Sequence, residues 1–163
     1  MLSTNVLAYE GIVFEPDKEN LDMASILVVD DSEELRGLYS CLLLADGYEV
    51  MLARDGVDAV SKLLRCEYDV VLLDYAMPGM TGLEVLHQIL CLNLASPPQV
   101  IMVSAYGDPQ MAQQALELGA SAYLLKGEVS TEELLEMVRE AVITRRQKTT
   151  PETGTTDFIQ RRA

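Results

Sequence analysis

The sequence predicts an α/β fold: a doubly wound parallel sheet of five strands with helices on both faces. Short runs that are apolar at every position, 26–29, 70–73 and 100–103, read as strands buried on both sides. The stretches between them carry apolar residues at helical spacing, and several open on an N-cap residue. Strand and helix alternate five times, the pattern of a parallel sheet built from right-handed crossovers.

The first strand, 26–29, ends in Asp30-Asp31. Ser32, Glu33 and Glu34 then open a helix, where acids suit the positive dipole end. Leu35, Leu38, Leu42 and Ala45 predict its inward face, and Gly47 its stop. Residues 49–53 read as a second strand, and Asp55-Gly56 turns into a helix with Val57, Val60 and Leu64 on one face. The third strand runs over 69–74 and closes on Asp74. A loop with Pro78, Gly79 and Gly82 follows, and Thr81 with Glu84 forms a capping box. Leu86, Ile89 and Leu90 are the expected buried side of that helix. The fourth strand, 100–103, ends at Ser104, and Asp108-Pro109 caps a helix that runs to Gly119. The fifth strand, 121–125, ends at Lys126. Ser130 and Glu133 form a second capping box, and Leu134, Val138, Ala141 and Val142 face inward on the last helix. Arg145, Arg146 and Lys148 suit the negative dipole end of that helix.

Three segments follow: an N-terminal extension over 1–23, a domain over 24–146 and a flexible tail over 147–163 rich in Thr, Pro and Gly. Met23 is an alternative start to Met1. The formal net charge is −14, which sets the domain against direct nucleic-acid binding. No stretch has the roughly 20 apolar residues of a membrane helix, and no secretory signal is read. Cys41, Cys66 and Cys91 are far apart and have no ligand spacing, as expected of reduced thiols in the cytoplasm. His87 lies away from the strand ends and reads as a surface residue.

In such a sheet the carboxyl ends of the strands share one edge, where ligands bind. That edge receives Asp30, Asp31, Asp74, Ser104 and Lys126. Three crowded carboxylates repel one another unless a cation sits among them. A hard divalent ion such as Mg²⁺ takes oxygen ligands and keeps several waters. The lysine adds a second counter-charge, and the serine hydroxyl can donate to an anion. Such a set suits transfer of a phosphoryl group onto a carboxylate. Taken singly, the acid pair reads as a helix cap, Ser104 as a loop serine and Tyr123 as a packed strand residue.

These residues, with Met77-Pro78-Gly79-Met80-Thr81-Gly82 after the third strand, resemble the receiver domain of two-component response regulators over roughly 24–146. The resemblance implies the flavodoxin-like, chemotaxis-receiver strand order 2-1-3-4-5. It implies that Asp74 accepts a phosphoryl group from a sensor histidine kinase or phosphotransfer protein. Asp30, Asp31, Asp74 and the backbone carbonyl of Ala76 would hold Mg²⁺, with Asp30 acting mainly through water. Lys126 would pair with Asp74 and then with the phosphoryl oxygens. Ser104 and Tyr123 would switch, and Ala76 and Tyr106 would tune dephosphorylation toward a long-lived phosphoryl state. The face of helix 4, strand 5 and helix 5 would bind a protein target, and a homodimer is left open. Such a receiver is not an enzyme, although it promotes its own Mg²⁺-dependent phosphorylation and dephosphorylation.

One departure stands out: Gly127 follows Lys126 where the family has a cis proline, so the loop there is expected to differ. Two alternatives remain in the same family: a pseudo-receiver that binds partners without phosphorylation, and a receiver fragment of a larger response regulator. An aspartate-nucleophile phosphatase would want a second Asp at the place of Ala76. A flavin site would want hydroxyls and glycine where Asp30-Asp31-Ser32-Glu33-Glu34 stands.

Overall fold

The computed structural model describes residues 24–149. The elements are β1 (Ser25–Val29), α1 (Glu33–Ala45), β2 (Glu49–Ala53), α2 (Gly56–Leu63), β3 (Val70–Asp74), α3 (Gly82–Cys91), β4 (Gln99–Ser104), α4 (Pro109–Glu117), β5 (Ala122–Leu125) and α5 (Thr131–Thr149). The five strands form one sheet in the order β2-β1-β3-β4-β5, and every pairing is parallel. The proposed 1–23 extension and most of the 147–163 tail lie outside the described residues, while α5 runs past 146 to Thr149.

Side chains alternate across a strand, so each central strand feeds two cores. Leu27, Val29, Val71, Leu73, Val100 and Met102 face one way, onto Leu63, Val85, Leu86, Ile89 and Ala115 of α2, α3 and α4. Ile26, Val28, Val70, Leu72, Ile101 and Val103 face the other, onto α1 and α5. β3, in the middle, is buried at all five positions, Asp74 included.

The caps form as the sequence predicts. Thr81 and Glu84 make a reciprocal capping box, Ser130 and Glu133 exchange bonds in the same way, and Asp108 caps α4 with Pro109 in its first turn. Gly47 and Gly119 take positive φ just beyond α1 and α4, where glycine is least costly.

Several helix faces differ from expectation. In α1 the buried residues are Tyr39 and Leu43, with Leu35 packed beside them, while Leu38 is exposed. The leucine-rich helix offers two plausible stripes, and Tyr39 fixes which one turns inward. In α2, Gly56, Ala59 and Leu63 are buried, and Val57 and Leu64 are 66% and 63% exposed. A Cβ on Gly56 would lie 2.8 Å from Met80 and Val85, so close α2–α3 packing selects this small-residue face. In α3, Leu86 and Ile89 are buried as expected, but Val85 joins them in place of Leu90.

The inward set on α5 is as expected, with Arg145 added. Arg145 is buried, not a solvated partner of the helix dipole: it donates to the Ser96 carbonyl at 3.0 Å and to Thr149 Oγ1 at 2.7 Å. Arg146 pairs with Asp69 at 3.7 Å. At the other side of the helix, Arg139 forks onto both oxygens of Asp46, at 2.6 and 3.1 Å, joining α5 to the end of α1.

Candidate functional site

The parallel sheet brings the ends of β1, β3, β4 and β5 to one edge, where Asp30, Asp31, Asp74 and Lys126 meet. One carboxylate oxygen each from Asp30, Asp31 and Asp74 lies within 4.8 Å of the others. Asp30 and Asp74 are only 2% and 4% exposed, while Asp31 is open to solvent. Lys126 reaches both buried acids, with Nζ 2.7 Å from Asp30 Oδ2 and 3.0 Å from Asp74 Oδ1. The peptide bond between Lys126 and Gly127 is trans, as are the others among the described residues. The chain turns sharply there: the N–H groups of Glu128 and Val129 both donate to the Leu125 carbonyl at 3.1 Å. Glycine in place of the family's proline therefore still delivers the ammonium to the acids.

Backbone contacts fix the acids. The Ser32 N–H donates to Asp30 Oδ1 at 2.9 Å, and Arg36 Nη1 donates to the Asp30 carbonyl at 2.6 Å. The backbone N–H of Ala76 also acts to lower the Asp74 pKa. Under the β3–α3 loop, Gly82 packs so tightly that a Cβ would run into the Asp74 carbonyl oxygen. In the sequence Gly82 stands out only as part of the loop motif after the third strand, and Arg36 carries no signal of its own. A glycine after a capping threonine reads as loop chemistry.

The electrostatics show an acid cluster that is incompletely neutralised. Burial raises the Asp74 pKa above the usual carboxylate value; the Lys126 hydrogen bond opposes this and the Asp30 charge adds to it. Desolvation alone would lower the Lys126 pKa, but its bonds to Asp30 and Asp74 outweigh that and raise it. Three carboxylates outnumber the Lys126 ammonium and the Arg36 guanidinium beside Asp30, which leaves a net negative charge that a cation would offset. Oxygen donors, one solvent-facing acid and that excess fit a hard, partly hydrated ion.

Ser104 is fully buried at the end of β4. Its hydroxyl accepts the Tyr106 N–H at 3.0 Å, and Tyr123 Oη donates to the Tyr106 carbonyl at 2.9 Å. The β4–α4 loop is thus held from both sides. The Tyr123 ring also packs edge-on against Tyr75, with centroids 6.4 Å apart. The Tyr106 side chain itself is exposed.

Comparison with known proteins agrees with this geometry. Residues 26–139 match the family model described as the response regulator receiver domain. The chain is 36% identical over 137 residues to the sensory transduction protein RegX3 of Mycolicibacterium smegmatis, covering 84% of this chain and 58% of that protein. It is 39% identical over 101 residues to the transcriptional regulatory protein ResD of Bacillus subtilis, covering 62% of this chain and 41% of ResD. It thus spans about half the length of these relatives. Among solved structures, the chemotaxis protein CheY4 of Vibrio cholerae superposes with a TM-score of 0.68 at 32% identity, over 73% of this chain and 98% of that one. The response regulator TrrA of Thermotoga maritima, solved in complex with Mg²⁺–BeF, gives 0.65 at 34% identity, over 73% and 99%. With its sheet order, its strand-end residues and these matches in agreement, the chain belongs to the family of response regulator receiver domains.

Proposed function

We propose that the chain is a phosphorylation-activated receiver of a two-component system, with Asp74 as the phosphoacceptor. The observation that carries this is the contact of Lys126 with Asp74 inside a cluster of three acids. An Asp74 carboxylate oxygen attacks the phosphorus of a phosphohistidine on a sensor kinase or phosphotransfer protein. An O–P bond forms, the P–N bond breaks, and the released imidazole takes up a proton. Asp30, Asp31, Asp74 and the Ala76 carbonyl are the residues that would hold Mg²⁺, which when bound offsets charge on the phosphoryl oxygens. Lys126 supplies a second, built-in counter-charge.

Ser104 then exchanges its bond from Tyr106 for one to the phosphoryl group. Tyr123, tied to the same loop through the Tyr106 carbonyl, carries that rearrangement to the outer face of β5. The output is binding of a protein target on the face formed by α4, β5 and α5. Ala76 offers no side chain to orient an attacking water, which favours a persistent acyl phosphate. The setting consistent with this role is the cytoplasm, and no helix among the described residues is long and apolar enough to cross a membrane.

Amide NMR with Mg²⁺ and beryllofluoride, a phosphoryl mimic, tests the reading. The expected result is movement of the signals of 104–106 and of Tyr123 in the wild type and none in Asp74→Asn. An unmoved wild-type spectrum favours the pseudo-receiver.

A further inference from the structure

Among the described residues β5 has no neighbouring strand along its outer edge, and all four of its residues are half-buried. Between that edge and α5 lies an open groove of roughly 500 Å³. Its floor is apolar, with Leu124, Val129 and Met137, and its rim carries Glu128, Glu136 and Glu140. None of these three glutamates has an ion-pair partner among the described residues. Met137 and Glu140 also line a second concavity, which continues the groove to Lys148 near the end of α5. The groove therefore begins where the described chain ends, with a cation at its near end and acids along the rest.

The sequence beyond Thr149 has the complementary order. Glu152 and Asp157 come first, then the apolar pair Phe158-Ile159, then Arg161-Arg162. The reach is sufficient: the nine residues from Thr149 to Phe158 span at most about 30 Å when extended. The way back along α5 from Thr149 to Met137 is about 18 Å at the helical rise.

We propose that residues 157–162 of this same chain dock in the β5–α5 groove. Phe158 and Ile159 cover its apolar floor, Arg161 and Arg162 meet Glu128, Glu136 and Glu140, and the preceding acids pass Lys148. Tyr123 lines the same groove. The docked segment then covers part of the face assigned to the protein target, and that consequence, unlike the docking, rests on the receiver reading.

The test is amide NMR on the full chain, without Mg²⁺ or phosphoryl donor, so an inert Asp74 would leave it unaffected. Phe158→Ala and the pair Arg161→Glu with Arg162→Glu should each shift the signals of Leu124, Val129 and Met137. Adding Glu136→Lys and Glu140→Lys to the arginine pair should return Leu124 and Val129 toward their wild-type positions. Perturbations confined to 150–163 would overturn the proposal. So would groove shifts that grow with protein concentration, since they would place the segment on a second copy.

Discussion

Lys126 Nζ lies 3.0 Å from Asp74 Oδ1 although a glycine, on a trans peptide bond, follows the lysine. The turn that closes on the Leu125 carbonyl aims the side chain, so proline is not needed to place it. If this ammonium neutralises the developing phosphoryl charge, Lys126→Met should slow phosphorylation by acetyl phosphate by about 100-fold, the usual cost of losing one such donor. Mg²⁺ affinity should not fall, because a competing cation has been removed. Rate measurement with a parallel calorimetric Mg²⁺ titration checks both.

Asp31 is the solvent-facing member of the acid cluster. Even outer-sphere changes at metal sites cost about 10–100-fold in affinity, so Asp31→Asn should weaken Mg²⁺ binding by at least about tenfold. The same calorimetric titration reads it.

The raised pKa of Asp74 has a consequence for stability in the absence of metal. A carboxyl whose folded-state pKa lies above its unfolded value favours the native state most when protonated. That contribution is present below the unfolded pKa and is lost as pH rises through the raised folded value. At pH 7 Asp74 is therefore a net burden, and Asp74→Asn should melt higher than wild type. The difference should shrink as the pH falls through the acid range. Thermal unfolding at a series of pH values measures it.

Gly82 has no room for a side chain above the Asp74 carbonyl. Overpacking costs typically 1–3 kcal/mol, and Gly82→Ala should destabilise by about that amount. It should also slow phosphorylation, because the strain falls on the backbone that carries Asp74. Urea unfolding and the acetyl phosphate assay separate the two effects.

Much of this was readable from the chain, and the reason is physical. A strand buried on both faces must be apolar throughout, so β1, β3 and β4 announce themselves, and so does the polar residue that ends each one. The parallel topology then puts Asp30, Asp31, Asp74, Ser104 and Lys126 on one sheet edge without further information. Helix faces are less legible. In α1, leucines occupy nearly every turn, and the choice of Tyr39 and Leu43 over Leu38 depends on what the sheet presents. In α2, close approach to α3 favours Gly56 and Ala59 over the bulkier Val57. Arg145 reads as a surface charge because only the folded chain brings the Ser96 carbonyl to it. The bonds that tie Tyr106 to Ser104 and Tyr123 likewise exist only once the strands are side by side.

Transfer of a phosphoryl group to Asp74 is the proposed reaction. Its most direct test is the mass of the protein after incubation with Mg²⁺ and acetyl phosphate, with peptide mapping of the modified residue and a time course after donor removal. The expected result is one added phosphoryl group on Asp74, none in Asp74→Asn, and a modification that persists for minutes or longer. A wild-type protein that takes up no phosphoryl group, or takes it up at another residue, would contradict it.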